Sequence, residues 1–186
     1  MSPMGKNAKA QERREKEASI QQEWIYQGPY VQLRRDIIFA EGHSPKTWEM
    51  IIHPGAVAVL PIDNDGNIIL IEQWRRSVNR IMIEIPAGLF DLGEDAATCA
   101  QRELQEEIGY LAKKLTPMGG VFVAPGLSSE YVHLFVATDL EESRLVADDS
   151  DLIDLRIVTP SQAKKMIEDG SICDAKTITA ILRYFK

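Results

Sequence analysis

The sequence predicts an α/β fold in which a mixed β-sheet lies between helices. A continuous apolar run over 56–62 is typical of a strand that is buried on both faces. Apolar residues at helical spacing follow it over 97–108, and two further helical segments close the chain. Strands are expected between these segments, so the whole chain alternates between the two kinds of element.

The N-terminal part of the chain is expected to stand apart from the rest. Residues 1–18 are poor in apolar side chains, and we expect a disordered tail or a frayed helix. Residues 19–53 are expected to form an antiparallel sheet that supports dimerisation, and 54–186 the main domain. Glycine and proline mark the turns of that sheet, and the strands are expected at 24–26, 30–39 and 47–51.

The main domain opens with a β-hairpin. The tetrapeptide Asn-Asp-Gly-Asn at 64–67 is a strong hairpin turn signal after the buried run. The helix over 97–108 is expected to end at Gly109, which suits a left-handed cap. Further strands are predicted at 68–74, 81–85, 115–123, 131–137 and 152–158, and the last two helices at 161–169 and 175–184.

The stretch from Gly88 to Tyr110 carries the strongest chemical signal. Glu103, Glu106 and Glu107 stand at helical positions i, i+3 and i+4, so they share one face of the predicted helix. Like charges at that spacing destabilise a helix by about 0.2–0.5 kcal/mol per pair. A solvent-exposed acidic face is the usual interpretation of such a run. Converging carboxylates are also what Mg²⁺ requires, with water and phosphate completing its coordination.

The same stretch fits a longer pattern, G-x5-E-x7-R-E-U-x-E-E-x-G-U, where U is apolar and only Tyr110 is unusual. The chain thereby resembles a Nudix hydrolase, a family that cleaves a diphosphate linking a nucleoside to another group and uses Mg²⁺ or Mn²⁺. The resemblance implies a Nudix-type α/β/α sandwich with a small antiparallel N-terminal sheet. It also implies that Arg102 pairs with Glu94 to hold the loop against the helix.

Segments outside this motif resemble one branch of the family. Pro125 lies at an offset from the motif that marks the ADP-ribose pyrophosphatases and their nucleoside diphosphate sugar relatives. In that branch the N-terminal strands exchange between subunits, so we expect a homodimer with exchanged strands. The other matching segments are His-Pro-Gly-Ala-Val-Ala-Val-Leu at 53–60, Glu-Gln-Trp-Arg at 72–75 and Glu-Ile-Pro-Ala-Gly at 84–88.

The resemblance assigns metal ligands by position. Glu103 and Glu107 match the principal ligands of the ion, and both are assigned to catalysis. Glu106 matches a further ligand or a residue that supports one, and Ala87 matches a backbone carbonyl ligand. Carboxylate, carbonyl and water oxygens suit Mg²⁺, with Mn²⁺ as the alternative ion.

The resemblance also assigns substrate contacts. Arg75 resembles a phosphate clamp whose fork matches two oxygens; the alternative is a surface arginine. Trp48 and Tyr30 match positions that sandwich the base, although either could simply pack in the N-terminal sheet. Glu130 matches a residue that accepts hydrogen bonds from ribose hydroxyls.

The catalytic base is assigned to an acidic loop late in the domain. Asp151 aligns best with it and Asp149 next, whereas relatives carry glutamate there. Aspartate is one methylene shorter, and a base must reach the water by a hydrogen bond. Either the loop closes further, or a motif glutamate takes the role, or the loop is only an acidic surface.

Composition narrows the functional classes. The net charge of −7 disfavours a general nucleic-acid binder. No apolar run approaches the roughly 20 residues of a membrane span, and the N-terminus lacks the apolar core of a signal peptide. A cytoplasmic protein with a small-molecule substrate is therefore expected.

The reaction expected from the resemblance is metal-assisted attack of water on the diphosphate of ADP-ribose, which gives AMP and ribose 5-phosphate. Another nucleoside diphosphate sugar, such as ADP-glucose or GDP-mannose, would fit the same motifs. A non-catalytic sensor of ADP-ribose or an NAD-like ligand is a third hypothesis, which the intact set of glutamates disfavours.

Overall fold

The computed structural model describes residues 5–29, 31–146 and 152–185. These residues form two compact units. The first unit is Met1–His53 with Ala124–Ser129, and the second is Pro54–Val123 with Glu130–Lys186. Whether the units behave as separate domains stays a prediction.

The first unit contains one helix and a three-stranded antiparallel sheet. Helix α1 (Lys6–Glu17) covers the segment for which disorder or a frayed helix is expected, and it has no buried residue. Surface pairs at i, i+4 stabilise it, as between Arg13 and Glu17 at 2.9 Å. The predicted strands are confirmed, and their order in the sheet is β1 (Ser19–Gln27), β2 (Gln32–Phe39) and β3 (Lys46–Ile52).

The second unit holds two sheets and the remaining helices. Its strands are β4 (Ala56–Pro61), β5 (Ile68–Arg75), β6 (Arg80–Glu84), β7 (Ala87–Leu89), β8 (Tyr110–Phe122), β9 (Tyr131–Glu142) and β10 (Asp154–Val158). Its helices are α2 (Ala96–Glu103), which continues as a π-helical turn (Leu104–Ile108), α3 (Pro160–Glu168) and α4 (Ala175–Tyr184). One sheet has the order β7-β4-β9-β8, with β4 parallel to β9, and the other is the antiparallel β10-β5-β6. The predicted mixed sheet is therefore confirmed.

Helices cover both faces of these sheets. Successive side chains of a strand point to opposite faces, and β4 is buried along its whole length. Val57 packs in a cluster with Leu104 from the π-helical turn. Its neighbour Ala58 packs in a second cluster, with Ile181 from α4. The α/β/α sandwich is confirmed by this division of the core.

Two short elements differ from the prediction. Strand β7 has three residues and pairs with β4, although no strand is predicted there. The helix predicted over 97–108 is α-helical only to Glu103, and the turn that follows is π-helical. Gly109 adopts the expected left-handed conformation at φ 76°. None of the helices within the described ranges has the length and apolar character that crossing a membrane requires.

Candidate active site

The motif helix is fixed at both ends. Asp95 caps the start of α2, where its Oδ1 accepts hydrogen bonds from the backbone N–H groups of Ala97 and Thr98, each at 2.9 Å. At the other end Gly109 closes the π-helical turn. Single π-helical turns are rare overall, but those that occur often lie at functional sites. This one carries Glu106 and Glu107.

Glu107 lies against strand β7. Its Oε2 accepts a hydrogen bond from the backbone N–H of Ala87 at 2.8 Å. Burial raises the pKa of Glu107 to about 8, and the charge of Glu103 adds to this effect. The hydrogen bond from Ala87 and the cations Arg75 and Lys176 oppose it. The carboxylate therefore sits where its negative charge is poorly stabilised by the protein alone.

Glu103 lies against the same strand, next to Gly88. The side chain of Glu103 is only 9% exposed. A Cβ atom at position 88 would overlap its carboxylate, so glycine is the residue that permits the close approach. Burial raises the pKa of Glu103, and the nearby Arg102 partly opposes the effect. A buried carboxylate and a half-buried one thus flank one short strand.

Arg102 connects the carboxylates of the motif. Its Nε and Nη2 donate to the two oxygens of Glu94, each at 3.0 Å, which confirms the predicted pair. Its Nη1 donates to Glu103 at 2.6 Å and to Glu106 at 2.9 Å. The hydrogen bonds from Arg102 lower the pKa of Glu94 to about 2. Arg102 also donates to the Leu89 carbonyl at 2.9 Å, which holds the loop against the helix.

The donor set fits a hard divalent ion. Within the described ranges, no three His, Cys, Asp or Glu side chains already form a ready-made metal cluster. One oxygen of Glu103 and one of Glu106 accept hydrogen bonds from Arg102, and one oxygen of Glu107 accepts from the Ala87 N–H. The second oxygen of each carboxylate takes no part in these hydrogen bonds. Carboxylate oxygens beside a backbone carbonyl are the ligands that Mg²⁺ accepts.

A cleft of about 530 Å³ in the second unit adjoins these residues. Its charged lining residues are Arg75, Glu84, Glu130, Asp174 and Lys176, and Ala87 and Gly88 of β7 also line it. Arg75 and Glu130 therefore both line this cleft. Their contacts with phosphate and ribose stay predictions.

The fork of Arg75 is occupied by a protein partner. Its Nε and Nη2 donate to the two oxygens of Glu84 at 2.8 and 2.9 Å. Glu84 is 2% exposed and also accepts a hydrogen bond from Lys176. Burial would raise the pKa of Glu84, but the two cations outweigh it and lower the pKa. A phosphate could therefore use only the part of the guanidinium that Glu84 leaves over.

The other predicted site residues are Trp48, Tyr30, Asp149 and Asp151. Trp48 is on β3 of the first unit and is 43% exposed. Tyr30, Asp149 and Asp151 lie outside the described residues. The base-stacking and catalytic-base assignments therefore stay predictions.

Sequence reasoning missed the roles of Glu84 and Lys176. Glu84 is part of the matching segment at 84–88 but has no predicted role of its own, and no sequence pattern marks Lys176 as a site residue. The two residues are 92 positions apart, so only the tertiary fold brings them together.

Fold and site together define an α/β/α protein with a carboxylate-bearing helix beside a cleft that contains paired cations. The sequence model of the NUDIX domain matches residues 52–180, and the chain belongs to the Nudix family.

Individual relatives match most of the chain. The chain is 39% identical to an ADP-ribose pyrophosphatase of Bacillus subtilis, over 89% of this chain and 90% of the relative. It is 35% identical to a methanol dehydrogenase activator of Bacillus methanolicus, with the same two shares covered. The crystal structure of an ADP compounds hydrolase has the same fold, with a TM-score of 0.81 at 23% identity, over 90% of this chain and 92% of that one.

Proposed function

We propose that this protein hydrolyses the diphosphate bond of ADP-ribose or a related nucleoside diphosphate sugar, and so releases a nucleoside monophosphate and a sugar phosphate. The observation that carries the proposal is the Nudix motif, complete except at Tyr110, with Glu103 buried beside β7 and Glu107 hydrogen-bonded to Ala87 of the same strand at the edge of a cleft. The similarity to an ADP-ribose pyrophosphatase over nearly the whole chain supports the choice of substrate.

The reaction requires a divalent cation, Mg²⁺ or Mn²⁺. Glu103, Glu107 and the Ala87 carbonyl would hold it, with Glu106 as a further ligand. When bound, the ion neutralises phosphate charge and lowers the pKa of coordinated water. The raised pKa values of Glu103 and Glu107 support this role, because a neighbouring cation would stabilise the charged forms that burial disfavours.

The remaining roles follow the family resemblance. Arg75 binds phosphate from the wall of the cleft, and Glu130 accepts hydrogen bonds from ribose hydroxyls. Asp151 or Asp149 supplies the base that takes a proton from the attacking water. Trp48 and Tyr30 stack on the base, which gives affinity with little discrimination because every base has a π-face.

The test is the release of AMP from ADP-ribose with Mg²⁺. We expect Glu107→Gln to reduce the rate strongly, because glutamine keeps the shape and the acceptor for Ala87 but loses the charge. Glu141→Gln is the matched control, since Glu141 is an exposed carboxylate paired with Lys113. Equal rates in wild type and Glu107→Gln would defeat the metal-ligand assignment.

A substrate panel separates the alternatives. ADP-ribose, ADP-glucose and GDP-mannose are compared with Mg²⁺ and with Mn²⁺. A dominant rate with one sugar identifies the substrate. Binding of all three without turnover would favour a sensor and overturn the proposal.

We also propose a cytoplasmic homodimer with exchanged N-terminal strands. Seven large apolar residues between positions 19 and 53 are 41–57% exposed, and a partner subunit would cover such a surface; they are Ile20, Trp24, Ile25, Tyr26, Val31, Phe39 and Trp48. Light scattering is expected to give twice the chain mass. A monomer at micromolar concentration would exclude the exchange.

A further inference from the structure

Glu84 is a buried carboxylate that holds two cations at once. It lies at the end of β6 and is 2% exposed. Arg75 donates to both of its oxygens, and the ammonium of Lys176 donates to Oε2. One bidentate arginine already compensates a single carboxylate. The second cation also pairs with Asp174 at 3.1 Å, so that two cations and two carboxylates meet at this wall of the cleft.

Both cations keep hydrogen-bond donors beyond those that Glu84 uses. A lysine ammonium has three donors. Lys176 directs one to Glu84 and another to Asp174 Oδ1 at 3.1 Å. A guanidinium has five N–H donors, and Glu84 takes two of those of Arg75. Because both side chains line the cleft, their remaining donors are available to a ligand there.

Lys176 stands at a position that helix stability does not favour. It is the second residue of α4, near the positive end of the helix dipole, where a cation is unfavourable. Its side chain is only 14% exposed, which is rare for lysine. Asp174 already caps this helix by accepting from the N–H and the hydroxyl of Thr177. The ion pairs with Glu84 and Asp174 offset this unfavourable position, and they hold the ammonium at the wall of the cleft.

The two cations lie close enough to act on one ligand. Arg75 Nη2 and the Lys176 ammonium share Glu84 Oε2. Two nitrogens bonded to one oxygen can be no more than about 6 Å apart. Both also act electrostatically on Glu107, which places them beside the motif glutamates.

We propose that Lys176 is a second phosphate-binding residue, which together with Arg75 binds the diphosphate of the substrate in this cleft. Glu84 positions both cations by accepting hydrogen bonds from each of them. The inference rests on the proposed function for the identity of the substrate, but the binding of a diphosphate can be measured without turnover.

The test uses inorganic pyrophosphate as the probe, with Mg²⁺ present, and calorimetry on the full chain. Lys176→Met is expected to weaken pyrophosphate binding about tenfold, the cost of one charge-assisted hydrogen bond. Lys176→Arg keeps the charge and is expected to stay within about threefold of wild type. Lys113→Met is the matched control, because it removes an exposed lysine from outside the cleft and is expected to change nothing.

Kinetics give a second readout. With ADP-ribose, Lys176→Met is expected to raise KM about tenfold at a temperature where the variant is folded. If Lys176→Met does not fold, Lys176→Gln replaces it, since the amide can still donate to Glu84 but carries no charge. We expect the same loss of pyrophosphate affinity in that variant.

The outcomes separate this inference from the proposed function. Pyrophosphate binding that depends on Lys176, in a protein that cleaves no nucleoside diphosphate sugar, supports the phosphate site and defeats the proposed function. Turnover of ADP-ribose with unchanged pyrophosphate affinity in Lys176→Met and Lys176→Gln overturns the inference and makes Lys176 a structural ion-pair partner. A wild type that binds no pyrophosphate overturns it as well.

Discussion

Replacing Glu107 by glutamine is expected to change how stability depends on pH. The folded protein holds the pKa of Glu107 at about 8, against an ordinary value of 4.5. Between pH 4.5 and about 8, the folded state therefore keeps a proton on Glu107 that the unfolded chain has already released. Stability contributed by this group is complete below pH 4.5 and is lost as the pH rises towards 8. Glutamine has no such proton, so Glu107→Gln should lack this loss.

The size of the effect follows from the two pKa values. The gap between 4.5 and about 8 corresponds to about 5 kcal/mol as an upper limit. The side chain keeps part of its surface in solvent, so we expect about 1–3 kcal/mol. The hydrogen bond from the Ala87 N–H can persist in the variant because the glutamine carbonyl also accepts. The variant should therefore be stabilised relative to wild type more at pH 8 than at pH 5.

The assay is urea unfolding of both proteins at pH 5 and pH 8 in EDTA, repeated with Mg²⁺. A bound cation favours the carboxylate, so Mg²⁺ should raise the stability of wild type at pH 8 and have much less effect on Glu107→Gln. Glu141→Gln serves as the exposed control and should follow wild type. An identical difference between pH 5 and pH 8 in wild type and Glu107→Gln would refute the reasoning.

Three further substitutions test the motif. Gly88→Ala should push the Glu103 carboxylate away from β7 and lower the rate of AMP release at least tenfold, which corresponds to about 1.4 kcal/mol in the activation free energy. Unchanged kinetics would show that the close approach of Glu103 to position 88 is dispensable. Glu94→Gln should make the loss of stability between pH 4.5 and 2 less steep than in wild type. The lowered pKa of Glu94 contributes stability above pH 4.5, and this stability is lost as the pH falls towards 2. A dependence of unfolding on pH that superimposes on that of wild type would contradict this reasoning. Asp95→Ala removes the cap of α2 and should cost about 1 kcal/mol in urea unfolding, with no change as the contrary result.

The elements that could be predicted from sequence are those with a complete local signal. Strand β4 is apolar at nearly every position because helices cover both of its faces, so its burial is visible in the composition alone. Helix α4 was predicted over 175–184 and forms over Ala175–Tyr184. In both cases local propensity and tertiary packing favour the same structure.

The elements that were missed have no local signal. The π-helical turn over Leu104–Ile108 keeps Leu104 and Ile108 buried, as an α-helix would, so the apolar pattern does not distinguish the two. Strand β7 is too short for a periodicity to appear. The contact between Glu84 and Lys176 joins β6 to α4, which are far apart along the chain: the two residues are 92 positions apart, and no local sequence pattern predicts the contact.

The site residues divide in the same way. The pairing of Arg102 with Glu94 was predicted from the motif, where both residues stand at fixed positions, and it is confirmed. For Arg75 the matching segment at 72–75 gives the position but not the partner: Glu84 occupies two of its donors because a buried carboxylate requires compensation.

The contacts of Arg102 have a consequence for how the protein evolves. One guanidinium touches Glu94, Glu103 and Glu106, and it is the internal counter-ion with which any incoming divalent ion must compete. A substitution that loosens this arginine would alter loop position, ligand orientation and ion affinity in a single step. These properties cannot drift separately, and so a change at position 102 would be tolerated only together with compensating changes among the carboxylates around it.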